Sequence, residues 1–127
     1  MYKRQELIDA YLNYTEDLLS AGVDVLAHPF RWLMETIGYV TPALVGEVVS
    51  LCASHGVAVE LNIRAGSAGV VTMIREAVQR GVPIALATDA HNPAEVGRLE
   101  AHLEAIRRAG FDPKEISLYN GRWEKEK

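Results

Sequence analysis

The sequence has very little cysteine and no long apolar run. The single Cys52 among 127 residues excludes an intramolecular disulfide, and a reducing cytosol is the expected compartment. No apolar run approaches the roughly 18–20 residues that span a bilayer. The N-terminal segment MYKRQELIDAYLNY also lacks the apolar centre of a signal peptide. These absences predict a cytoplasmic protein without a membrane partner.

The sequence also lacks a strong excess of either charge. Its 13 Lys and Arg residues against 17 Asp and Glu residues leave a net charge of −4, which argues against nucleic acid as the main partner. The apolar fraction is 49%. A chain of this length and composition suits one domain with a hydrophobic core, so we assign residues 1–127 to a single domain.

A local pattern occurs four times along the chain: an amphipathic segment, a glycine, and then a short apolar run. The glycines are Gly22, Gly56, Gly81 and Gly110, and the runs are DVLA, VAVEL, IALAT and ISLY. Glycine commonly follows the last turn of a helix, and runs that are apolar on both faces are typical of buried parallel strands. The pattern predicts the α/β class, with about four βα units and parallel strands.

Three helix starts are indicated by capping residues. Thr41 followed by Pro42 is a typical N-cap with proline at the first helical position. Ser67 is a possible cap for a helix over residues 68–80. Asn92, also followed by proline, predicts the start of a later helix whose apolar stripe is Val96, Leu99, Leu103 and Ile106.

Polar residues follow the predicted strands at their carboxyl ends, where βα folds place their chemistry. His28 follows the first strand, Asn62 the second, and Asp89 and His91 the third. Asp89 and His91 are two residues apart, so in extended backbone their side chains share a face. With His28 from a neighbouring strand they offer one carboxylate and two imidazoles, a set that suits Zn²⁺, Mn²⁺ or Fe²⁺.

Simpler interpretations exist for the same residues. A histidine at a strand end is often a structural hydrogen-bonding group, and Asp89 could cap the next helix, although Asn92 is better placed to do so. His55 and His102 fall on or after helices and are interpreted as structural or solvated, and Cys52 as a core residue. Trp32, in the predicted loop after His28, either packs in the core or lines a pocket.

Arg64 lies in the loop NIRAGS, which leads towards a helix start. Backbone N–H groups of Gly66 and Ser67 together with an arginine make a plausible anion or phosphate site. The alternative is an arginine exposed to solvent.

The strand-end motifs resemble the PHP (polymerase and histidinol phosphatase) family of metal-dependent phosphoesterases. The matching stretches are VDVLAHP (23–29), VELN (59–62) and ATDAH (87–91), and the resemblance covers roughly residues 10–120. It implies a distorted barrel of βα units, with His28, Asp89 and His91 as ligands of divalent zinc, manganese or iron. It also implies that Asn62 and Arg64 lie beside the phosphate of a small phosphorylated substrate.

The family pattern begins with a His-x-His strand, and no histidine precedes His28 here. The chain therefore resembles the C-terminal half of a PHP domain, a fragment with the last ligands. The expected function is phosphate monoester hydrolysis by metal-activated water, in a hydrolase related to histidinol phosphatase. The alternative is a non-catalytic metal-binding or interaction half-domain, completed by a partner chain. Because four strands do not close a barrel, we expect a homo-oligomer or an N-terminal partner half.

Overall fold

The computed structural model describes residues 4–27, 29–38, 40–61, 69–86 and 99–119. Helices and strands alternate in it, which confirms the α/β class. The helices are α1 (Arg4–Ser20), α2 (Arg31–Ile37), α3 (Pro42–His55), α4 (Val70–Arg80) and α5 (Glu100–Arg108). The strands are β1 (Val25–Leu26), β2 (Ala58–Leu61) and β3 (Ile84–Leu86).

The three strands form a parallel sheet in the order β1-β2-β3, with Leu26 opposite Val59 and Leu61 opposite Leu86. The predicted fourth strand is shorter than expected. Among the described residues it is an isolated parallel bridge between Leu118 and Ile84, with the Tyr119 N–H donating to the Ile84 carbonyl at 2.9 Å. The expected parallel direction of the four segments is therefore confirmed, although the last of them pairs at one position.

The helices pack on each other in the same order as the strands that they connect. Helix α3 contacts α1 and α4, and α4 contacts α5, so these helices form one layer. Val59, in the centre of the sheet, is fully buried in the hydrophobic core, together with Ile74 from α4 and Val48 from α3. The core therefore lies between the helix layer and one face of the sheet.

The helix ends follow local chemistry. The Thr41 hydroxyl accepts a hydrogen bond from the Leu44 N–H at 3.2 Å, which confirms Thr41 as the N-cap of α3. Gly56 and Gly81 end α3 and α4 in the left-handed conformation, with φ of 68° and 72°. Glycine adopts this conformation without steric cost. Both helix ends were predicted correctly.

Two predicted helix starts were wrong or fall outside the described residues. Helix α4 begins at Val70 with Gly69 as its N-cap residue, so the helix does not begin after Ser67, which itself lies outside the described residues. Helix α5 begins at Glu100, and Leu99 is its N-cap residue. The apolar stripe had placed Leu99 inside the helix, and that prediction was wrong. Asn92 also lies outside the described residues.

Two glycines near the contact between α3 and α4 should respond in opposite ways to alanine. A Cβ at Gly46, inside α3, would meet the flexible Glu76 carboxylate at 3.4 Å, so Gly46→Ala should stabilise the fold by about 0.5–1 kcal/mol. Gly69 has φ of +73° and Val45 Cγ2 would lie 3.2 Å from its Cβ, so Gly69→Ala should cost about 1–2 kcal/mol. Urea unfolding followed by circular dichroism measures both; equal effects would contradict the argument.

Candidate functional site

The carboxyl ends of the three parallel strands lie along one edge of the sheet, which we call the carboxyl edge. The strands end at Leu26, Leu61 and Leu86, and Leu61 and Leu86 are direct partners in the register. Neighbouring strands in a sheet are about 5 Å apart, so β1 and β3 are separated by about 10 Å. Three chain segments therefore start from the carboxyl edge, and the outer two strands are about 10 Å apart, a distance comparable to the width of a small binding site.

All five residues predicted to form the site lie outside the described residues. They are His28, Asn62, Arg64, Asp89 and His91. In the sequence, His28 comes two residues after the end of β1, Asn62 directly follows β2, and Asp89 comes three residues after β3. The structure thus describes the strands that precede these residues, and their assigned roles stay predictions.

The described part of the chain offers no other metal site. Within residues 4–27, 29–38, 40–61, 69–86 and 99–119, no group of three or more His, Cys, Asp or Glu side chains could hold a metal ion. Zinc and similar ions bind most often through three or four such ligands. The described residues therefore contain no second candidate metal site beside the predicted ligand set.

The other two histidines, His55 and His102, lie within the described residues and are not part of the predicted metal site. His55 ends α3, just before the amino end of β2, and its Nε2 lies 3.2 Å from a Glu16 carboxylate oxygen on α1. His102, on α5, is buried at 4% exposure. The amino end of a parallel strand is opposite its carboxyl end, so His55 is remote from the carboxyl edge. A structural role for both histidines is consistent with these positions.

An aromatic cleft lies between α1 and α2. It has a volume of about 530 Å³, and its described lining consists of Ala10, Tyr11, Tyr14 and Trp32. The rings of Tyr11 and Trp32 stack in parallel planes with their centroids 6.2 Å apart. Trp32 is in α2 and not in a loop as predicted, but its expected alternative role, lining a pocket, is confirmed.

The sequence contains one signal of this aromatic cleft. The tyrosines at positions 11 and 14 are three residues apart, a spacing that places side chains on one side of a helix. That spacing was the available signal for an aromatic surface. It did not identify Trp32 as the partner, because the two residues are far apart in the sequence.

Two buried ionisable groups, the Tyr11 hydroxyl and the Cys52 thiol, interact with each other in the core. Burial raises the pKa of the Cys52 thiol from 9.0 to about 11. Burial also raises the pKa of the Tyr11 hydroxyl well above its ordinary value; the Thr15 side chain opposes this increase and the neighbouring Cys52 adds to it. Cys52 is fully buried, as predicted for a core residue. Both groups are therefore neutral near pH 7.

Comparison with known proteins assigns no relative. No family model matches the chain, and no curated protein matches it either. None of the helices in the described residues is long and apolar enough to cross a membrane.

Proposed function

We propose that the chain is the C-terminal half of a PHP-like, metal-dependent phosphoesterase that hydrolyses a small phosphate monoester. The observation that carries this proposal is the shared carboxyl edge of β1, β2 and β3. Each of these strands is followed in the sequence by a candidate site residue of a motif that resembles the family: His28 after β1, Asn62 after β2 and Asp89 after β3. Enzymes built from βα units assemble their sites from the segments that follow parallel strands, even where those segments are distant in sequence.

The order of the elements also supports the half-barrel. The sheet follows the order of the sequence, and the helices form one layer in the same order. A βα barrel repeats this arrangement around its circumference, with the helices outside. In an open doubly wound sheet, by contrast, the strand order reverses and helices cover both faces.

The proposed metal ligands are His28, Asp89 and His91. One carboxylate and two imidazoles suit Zn²⁺, Mn²⁺ or Fe²⁺, and the donor chemistry therefore fits a divalent ion. Such an ion, when bound, supplies positive charge that polarises the phosphate and acidifies water. The protein's part is to hold the three donors on segments that follow β1 and β3. These strands are not neighbours as expected from the sequence, because β2 lies between them.

Asn62 and Arg64 are proposed to bind the substrate phosphate. Asn62 follows β2, the central strand, and Arg64 comes two residues later. An arginine donates paired hydrogen bonds to phosphate oxygens, and an asparagine amide donates a further bond. These donors would orient the ester and stabilise the charge that increases on phosphate oxygens during the reaction.

The experiment that tests the function combines metal analysis with a phosphatase assay. The purified chain, dialysed against chelator and then loaded with Mn²⁺ or Zn²⁺, should retain close to one equivalent of metal and hydrolyse p-nitrophenyl phosphate. Chelator should abolish the activity. Absence of both metal retention and hydrolysis, for the chain alone and for mixtures with an N-terminal half of a PHP domain, would contradict the proposal.

The second face of the sheet favours the alternative, a half-domain completed by a partner chain. Along each strand, the side chains on this face alternate with the side chains that face the core. The described residues only partly bury three residues on this second face: Val25, Glu60 and Ala85. In a closed βα barrel the corresponding face is filled by side chains from the other strands. Light scattering at micromolar concentration should therefore show an oligomer, and a clean monomer would count against this alternative.

A further inference from the structure

We infer that two copies of the chain close one barrel of eight parallel strands, with the two-fold axis of the dimer along the barrel. In this dimer the outer edge of β1 in each copy pairs with the fourth segment, residues 117–119, of the other copy. Helix α1 of one copy then packs beside α5 of the other. The inference names a second copy of this chain as the partner of the half-domain. It rests on the half-barrel of the proposed function, but not on the proposed reaction.

The described sheet has a free edge at each end. Among the described residues, β1 pairs with β2 alone, and the fourth segment pairs with Ile84 of β3 alone. All four segments are parallel, and a rotation about an axis along the strands keeps them parallel. Two sets of four strands make eight, the number with which a βα barrel closes around a packed interior.

The helix layer is arranged so that two copies leave no pair of strands uncovered. Helices α3, α4 and α5 precede β2, β3 and the fourth segment, and α1 precedes β1 in the same way. Because α1 contacts α3, it extends the helix layer beyond β1. In the dimer, α1 covers the joint at which β1 meets the other copy's fourth segment. Helix α3 has the same relation to the pair of β1 and β2 that it connects.

Three strongly exposed apolar side chains lie at the two ends of this arrangement. At the β1 end, Tyr14 on α1 is 65% exposed, and Trp32, which stacks on Tyr11 of α1, is 45% exposed. At the other end, Leu118 in the fourth segment is 41% exposed. Exposed apolar surface that is grouped in this way is typical of an interaction site. Contact between unlike ends of two copies covers both groups at once.

Tyr14 lies on the side of α1 that faces away from α3. Leu12 and Glu16 line a groove between α1 and α3, and Tyr14 is two residues from each of them, which is about 200° around a helix. Asp17 follows Tyr14 by three residues and shares its side. The free side of α1 therefore presents an aromatic ring and a carboxylate. A tyrosine at the rim of an interface packs through its ring and keeps its hydroxyl in water.

The last turns of α1 and α5 are complementary in charge. Glu16 and Asp17 lie near the end of α1, whereas Arg107 and Arg108 end α5. Each helix ends shortly before the strand that follows it, so in the dimer α1 and α5 run side by side with their last turns at the same level. Asp17 of one copy then lies near Arg108 of the other. A symmetric contact of α1 with α1 would instead place like charges together.

The test reverses these charges and measures dimer dissociation by analytical ultracentrifugation. Asp17→Arg and Arg108→Asp should each raise the dissociation constant about tenfold or more, because each dimer contains the changed joint twice. An equimolar mixture of the two variants should restore the affinity of the unchanged chain, since both joints of the mixed dimer again bring opposite charges together. Asp9→Arg, on the side of α1 towards α3, is the matched control and should change the affinity less than about twofold.

A second variant tests the apolar part of the joint. Tyr14→Ala changes no charge and should also weaken the dimer, and circular dichroism checks that each variant is folded. A monomeric unchanged chain at micromolar concentration would overturn the inference, as would a mixture of the two charge variants that stays dissociated. Hydrolysis by a monomer would overturn the closed barrel alone. A dimer with the expected rescue but without metal retention or hydrolysis would support the closed barrel and contradict the phosphoesterase.

Discussion

Replacing His91 with alanine is expected to lower hydrolysis of p-nitrophenyl phosphate at least about a hundredfold and to abolish retention of the metal. The proposed site holds its ion through one carboxylate and two imidazoles. Removal of one imidazole leaves two donors, which are too few to retain a transition metal once free metal has been removed. Metal analysis after gel filtration and an assay at saturating Mn²⁺ measure the two effects separately. Asp89→Ala should behave in the same way.

The matched control is His55→Ala. His55 is also a histidine in a βα unit, but it ends α3 before β2, and its Nε2 contacts Glu16 at 3.2 Å. Its loss should leave metal content and activity within about twofold, with a stability cost below about 1 kcal/mol because the pair is partly exposed to solvent. Equal activity in the His91 and His55 variants would remove the catalytic assignment.

Stability is expected to fall steeply between pH 9 and pH 11 because two buried acids must ionise on unfolding. The pKa of Cys52 is raised from 9.0 to about 11 in the fold, and that of Tyr11 is raised above its ordinary value. Above pH 9 the unfolded chain has therefore lost protons that the folded chain retains, so the free energy of unfolding decreases as pH rises. Cys52 alone should account for about 2 kcal/mol by pH 11, with Tyr11 adding to this above pH 10.

Urea unfolding at intervals of half a pH unit measures this dependence. Cys52→Ala and Tyr11→Phe should each flatten the curve above pH 9, whatever they do to stability at pH 7. Tyr14→Phe is the matched control, because the Tyr14 side chain is 65% exposed and its surroundings change little on unfolding. A wild-type curve that stays level up to pH 11 would contradict the buried positions assigned to Tyr11 and Cys52.

Local sequence signals correctly predicted the start of α3, the glycines that end α3 and α4, and the positions of β1, β2 and β3. Thr41 and Pro42 begin α3, and Gly56 and Gly81 end α3 and α4 with positive φ. These features depend on the backbone conformation of a few consecutive residues, so they are readable from the sequence alone. The sequence also places candidate site residues after β1, β2 and β3, and their roles stay predictions.

Features that depend on distant residues were not readable in this way. The start of α5 at Glu100 was not marked by a capping residue, since Leu99 precedes it. The last predicted strand pairs only through the bridge between Leu118 and Ile84. Such boundaries depend on how much of a segment finds a partner in the sheet or core, and that is decided by packing rather than by local preference.

The sequence by itself determined the alternation of helices and strands, the glycines that separate them, and the order of the candidate ligands along the chain. These follow from hydrophobic periodicity and backbone stereochemistry, which act over a few residues. Only the tertiary structure decided the parallel order β1-β2-β3, and with it the shared carboxyl edge. It also brought Tyr11 against Trp32. Contacts of this kind join residues far apart in the chain, and only burial of a common core selects which of them form.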